Sequence, residues 1–223
     1  MGLTIHYQWS TRRKLDLAGV KQLVSSLHDR AVALKFADPG QLIQVGPDYP
    51  LAYHWPPGAK KFSDLLPPLE GWVFHATPGD GSESARIGLC RYAGVPGWRW
   101  ASFCKTQYAS RHGWEHFFEC HRGLTQLLWM AEKLGLRVKV DDEGGYWKCG
   151  SGATLRRNLA EYDQGIAAFG GALKDAAGEA ARDITGPIFA HPDYERLEAL
   201  GNQAQGEKIS RAVREVTRTL NSM

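Results

Sequence analysis

The chain has 223 residues, with 27 basic and 24 acidic side chains and a formal net charge of +3 at neutral pH. A hydrophobic share of 43% with eight tryptophans supplies a core and excludes a disordered chain. The slight, dispersed charge excess argues against a binder of nucleic acid or of a membrane surface, and no stretch approaches the roughly 20 apolar residues of a membrane span.

The start, Met1-Gly2-Leu3-Thr4-Ile5-His6, carries neither the cationic region nor the apolar run of a signal peptide. His6 also stands where a myristoylation signal requires Ser or Thr. A cytoplasmic location is expected. Cys90, Cys104, Cys120 and Cys149 show no C-x-x-C pairing, which favours free thiols in a reducing compartment.

Leu3, Ile5 and Tyr7 alternate with polar neighbours and read as a first strand. Asp16 is placed to cap a helix carrying Leu17, Val20, Val24, Leu27, Ala31 and Leu34, ended near Asp38-Pro39-Gly40. Leu42 to Val45 reads as a short second strand. Between residues 46 and 70, six prolines interleave with Tyr49, Tyr53, His54, Trp55 and Phe62. That density forbids a regular ladder and predicts a long loop covering one face of the core. Strands follow at Gly71–Ala76, Ala85–Tyr92 and Trp98–Thr106, linked as an antiparallel meander. A helix from Trp114 to Leu134 places Phe117, His121, Leu124, Leu128 and Ala131 on one line, with Gly135 as its stop. Leu136 to Asp141 is a strand, turned back as a hairpin by Glu143-Gly144-Gly145-Tyr146. Ser151 caps a long helix whose Leu155, Leu159, Tyr162, Ile166, Phe169 and Leu173 form a heptad seam. A short helix from Pro192 to Leu200 precedes a last helix bearing Ile209, Val213, Val216 and Leu220.

Polar groups concentrate in three consecutive elements. Strand parity puts Lys105 and Gln107 on one face and Cys104 and Thr106 on the other, while Asp142 continues the buried row of Leu136, Val138 and Val140. If these groups converge, Lys105 would act as an electrophile and Gln107 would orient the substrate. His121 would serve as general acid or base, with Asp142 and Glu143 tuning it. Thr106, Tyr146 and Trp147 would contact the ligand. Plainer readings stand beside this one: a Lys105–carboxylate ion pair, an Asp142 that accepts backbone bonds in its Gly-Gly turn, and a hydrogen-bonded core His121. His112, His116 and Cys120 have metal-like helical spacing, but Gly113 interrupts it and a fourth ligand is lacking, so no metal is assigned and no cofactor is specified. Arg211, Arg214 and Arg218 form a basic helix face without aromatic interleaving, which reads as a solvated or partner-facing surface.

The ordered motifs Thr4-Ile5-His6-Tyr7, Lys105-Thr106-Gln107-Tyr108-Ala109, His121 and Asp142-Glu143-Gly144-Gly145-Tyr146-Trp147 resemble a family of bacterial proteins to which no activity is attached. Pro192 to Gly201 resembles a C-terminal signature of its longer members. Some members carry Glu after the Tyr-Trp pair, where this chain has Lys148, so no carboxylate role carries over there. The resemblance implies one linked set of residues and no particular reaction.

The expectation is an α+β fold, a mixed and mostly antiparallel sheet packed by helices, as one domain over 1–201 followed by a helix over 202–223. The functional expectation is a polar cleft for a small ligand or for hydrolytic or group-transfer chemistry. The alternative is a non-enzymatic interaction module, regulatory, immunity-type or defence-associated, that meets a protein partner or a second copy through its C-terminal helices.

Overall fold

The computed structural model describes residues 3–56, 60–177 and 185–220. Met1, Gly2, Pro57 and the end of the expected last helix lie outside the described residues, as do the side chains of Phe62 and Leu220. The protein is α+β. The chain divides into two compact units, residues 4–150 and residues 151–223 joined by 1–3. The division falls at Gly150–Ser151 and not near residue 201.

The first unit is built on six strands: β1 (Thr4–Thr11), β2 (Ile43–Val45), β3 (Pro68–Ala76), β4 (Ala85–Tyr92), β5 (Val95–Lys105) and β6 (Leu136–Asp142). Their order is β2-β3-β4-β5-β1-β6, and every described pairing is antiparallel. Helices α1 (Leu17–Ala33) and α2 (Trp114–Lys133) pack on one face. Asp16 caps α1 as its position predicts, accepting the Gly19 N–H at 2.8 Å. Alternation sends Ile5, Tyr7 and Trp9 inward against Val20, Val24 and Leu27 of α1 and Leu124, Leu127 and Leu128 of α2.

Three of the core tryptophans keep their polar ends satisfied, as large amphipathic rings in a core usually do. Trp9 donates to the Gly88 carbonyl, Trp98 to that of Leu15 and Trp100 to that of Arg86, each at 2.9 Å. The proline-rich segment covers the opposite side of β3 and β4, in line with its aromatic content. Tyr92 donates to the Ala52 carbonyl at 2.8 Å, and the Tyr49 hydroxyl meets His75 Nε2 at 2.7 Å.

After β6 the chain does not return as a hairpin strand. It enters a single helical turn, α3 (Tyr146–Cys149), through Gly145 at φ 75°, a conformation that favours glycine.

The second unit pairs α4 (Gly152–Ala177) with α5 (Tyr194–Leu220). Ser151 accepts the Thr154 N–H at 3.2 Å, the expected cap of α4. The residues α4 buries in its C-terminal half are Ala167, Ala168, Gly170 and Gly171, while the expected seam residues Tyr162, Ile166, Phe169 and Leu173 are only half-buried. Small residues let two helix backbones approach closely, and that close packing replaces the coiled-coil seam here. The two short C-terminal helices expected from the sequence are one continuous α5. Gly201 lies at its closest contact, where an added Cβ would run into the Gln164 carbonyl of α4.

Candidate functional site

Three of the sequence-selected side chains meet in the interior of the first unit. Thr106 ends β5 and opens the 3-10 turn Gln107–His112, and its side chain faces inward with Cys104. Its Oγ1 lies 2.9 Å from Nδ1 of His121, which projects from the buried line of α2. On the other side of the ring, Nε2 lies 3.2 Å from Oδ1 of Asp142. That approach has the distance of an ion contact but lacks the alignment of a hydrogen bond, so Nε2 has no hydrogen-bond partner. An unprotonated Nδ1 accepts from the Thr106 hydroxyl, and a protonated one donates to it.

Asp142 is more completely bound. Its Oδ1 accepts the Gly144 N–H and its Oδ2 the Trp147 N–H, both at 2.8 Å. Burial pushes the carboxyl pKa up, but the His121 contact and the two backbone donors outweigh it and hold it below the usual value. Tyr146 stands edge-on to His121 with centroids 6.1 Å apart, Phe117 lies 5.7 Å away on the same helix, and Trp147 stacks on Trp129 at 5.6 Å. The side chains of His121 and Asp142 have 0% exposure, which denies a substrate access to either. Hydroxyl, imidazole and carboxylate stand in line as in a nucleophile–base–orienter series, but the line is a sealed clamp joining the end of β5, the middle of α2 and the turn after β6.

The other expected members are elsewhere. Lys105 points to the opposite face of the sheet from Asp142, and its Nζ lies 3.5 Å from Glu83 Oε1. The expected pair with Asp142 or Glu143 does not form, because Lys105 is cross-strand from Thr4 while Asp142 is cross-strand from Ile5, one residue out of phase. Glu143 binds backbone: its Oε2 accepts the Thr4 N–H at 2.8 Å. Gln107 is buried at the head of the 3-10 turn.

His116 and Cys120 are neighbours on α2, with Nε2 and Sγ 3.6 Å apart. The same Nε2 lies 2.8 Å from the Asp80 carbonyl, which can only accept. Nε2 therefore carries the proton and is no base for the thiol. Among the described residues no group of three or more His, Cys, Asp or Glu is placed to hold a metal ion. Burial pushes the thiols of Cys90 (to about 12), Cys104 and Cys120 up, whereas Cys149 is exposed. Native protein should therefore consume one equivalent of a thiol reagent at pH 8, at Cys149, and four only after denaturation. Rapid labelling of Cys120 in the native state would contradict the inert reading.

The alternation of β1, β5 and β6 also builds an open outer face. Across it, His6 sits opposite Phe103 and Asp141, and Gln8 opposite Ala101 and Lys139. A hollow of about 540 Å³ opens there among His6, Gln8, Ala101, Lys139, Asp141 and Lys148. The signal was present in the sequence as the polar phase of the strands whose apolar phase marks the core.

No known family profile, curated protein or solved structure matches this chain.

Proposed function

We propose that the protein is a binding module whose ligand is a small anion-bearing molecule held on the outer face of β5, β1 and β6. The observation that carries this reading is the hollow beside Lys139 and Lys148, open to solvent where the His121 cluster is sealed. His6 and Gln8 add hydrogen-bonding groups around it, and Asp141 discriminates by charge. The Thr106–His121–Asp142 clamp takes no part in chemistry on this reading and serves to fix the ends of β5 and β6. An anion with an aromatic ring, such as AMP, tests it. Millimolar AMP or pyrophosphate should raise the melting temperature of the full chain by about 2–4 °C. The Lys139→Glu/Lys148→Glu variant should melt like the parent and lose the shift. An unshifted parent sinks the proposal.

A second reading, a protein-interaction module, is favoured by a separate feature of the α4–α5 pair. Tyr162, Ile166, Phe169 and Ile209 line a groove of about 340 Å³ between the helices. Ile166→Asp should then abolish any concentration-dependent self-association or partner capture while leaving the helical signal unchanged.

A further inference from the structure

The outer face of β5, β1 and β6 extends well beyond the hollow, and its make-up narrows the ligand. The cations Lys105, Arg99, Arg137, Lys139 and Lys148 are far apart in the sequence, yet all five lie on this face or at its rim. Their carboxylate neighbours are fewer: Asp141 faces His6, Glu143 is tied to the Thr4 N–H, and Glu83 is taken by Lys105. From Lys105 to Arg99 the track runs roughly 20 Å along β5, six residues at strand rise. A single phosphate does not need such a length. A chain of them does.

Aromatic rings lie between the cations. Phe103 is 42% exposed. The exposed His6 ring lies 5.8 Å from it across the strands, tilted by 42°, and Lys105 Nζ sits 5.9 Å from the Phe103 centroid. An antiparallel sheet with one solvated face ordinarily shows water a polar phase. Rings flanked by cations on that phase form a platform on which bases stack, with phosphates steered by the lysines and arginines. Gln8 and Asp141 beside the rings can donate to and accept from base edges. Among the described residues of the sheet unit, the strands of this face present no long helix or protruding ribbon to enter a duplex groove.

We infer that this face binds single-stranded nucleic acid of four or more nucleotides, about the lower limit for such platforms. The inference rests on the binding-face reading above and names its ligand. The weak net charge of the chain does not oppose it, since the relevant field is that of the local track.

The test is fluorescence anisotropy of the full chain with labelled 12-residue oligo(U) and oligo(dT), a duplex of equal length, and unlabelled AMP as competitor. Single strands should bind, and raising salt from 50 to 200 mM should weaken binding roughly fifty-fold, as about four phosphate contacts require. The Lys139→Glu/Lys148→Glu variant should bind at least about tenfold more weakly, with a shallower salt dependence. Phe103→Ala should bind about tenfold more weakly with that dependence unchanged, because stacking releases no counterions. Asp141→Asn should bind more tightly. Replacing Arg211 and Arg214 on α5 by Ala should change nothing. If AMP binds but oligonucleotides bind no tighter, or the duplex binds equally well, this inference fails and the anion-site reading survives. If neither AMP nor oligonucleotide binds, both fall. Oligonucleotide binding insensitive to Lys139, Lys148 and Phe103 also overturns the inference.

Discussion

Asp142→Ala should lower the folding stability of the sheet unit by about 3–5 kcal/mol in urea-induced unfolding. The substitution removes the acceptors of the Gly144 and Trp147 N–H groups at once and leaves His121 Nε2 facing a cavity. A buried donor without an acceptor costs on the order of 1–3 kcal/mol, so the two backbone donors together with the cavity left beside His121 account for the size of the loss. Lys105→Ala should cost under about 1 kcal/mol, since its pair with Glu83 is partly exposed to solvent. The contrast between the two variants separates clamp from surface. Equal, small losses would show that the clamp does not carry the fold.

Acid should reach the same group. The folded-state pKa of Asp142 lies below its ordinary value, so its contribution is fully present above the unfolded carboxylate pKa of about 3.9. It is lost as pH falls through the lower, folded value. Asp142→Asn should therefore flatten part of the acid limb of a stability–pH curve. A limb of unchanged steepness would place the acid sensitivity on other carboxylates.

Gly201→Leu should destabilise the α4–α5 pair by about 3 kcal/mol, at the upper end of the usual cost of overpacking. A side chain there meets the Gln164 carbonyl and, at 2.7 Å, the Cβ of Ala168. Backbone cannot step aside as a flexible side chain can. Gly206 lies five residues along the same helix, and a Cβ built there meets nothing within 4 Å. Gly206→Ala should instead stabilise by about 0.5–1 kcal/mol, the propensity difference of the two residues in a helix. Thermal melts followed by far-UV circular dichroism distinguish these opposite signs. A neutral Gly201→Leu would mean that the helices do not approach as described.

The strands and the first two helices were legible because a half-buried strand and an amphipathic helix write their periods directly into the residues. Ile5, Tyr7 and Trp9 mark the inner face of β1, and Val20, Val24 and Leu27 mark that of α1. Parity likewise placed Asp142 inward and separated Thr106 from Lys105. The partner of Lys105 was illegible because Glu83 lies in a Gly/Asp/Ser-rich connection, where composition signals a turn and says nothing of direction. The meeting of Thr106 with His121 joins a strand end to a helix middle, and no local period encodes that distance. The continuity of α5 was hidden for a different reason. Gly201 reads as a stop signal, but here it is required by the neighbouring backbone. The outer face went unnoticed because its cations are scattered along the chain and gather only when the strands pair.

The quoted motifs take on a physical meaning in the folded chain. Thr4 binds Glu143, Thr106 binds His121, His121 faces Asp142, and Asp142 holds Gly144 and Trp147. Segments that look like a dispersed catalytic signature form one hydrogen-bonded and ionic set inside a single unit. A resemblance carried by such residues speaks first for shared architecture.

The division of the chain at Gly150–Ser151 has a spectroscopic corollary. All eight tryptophans fall before that point and none after it. Indole emission thus reports on the sheet unit alone, and ellipticity at 222 nm adds the helical pair. The two halves can be followed through denaturation side by side, in unlabelled protein, without cutting the chain.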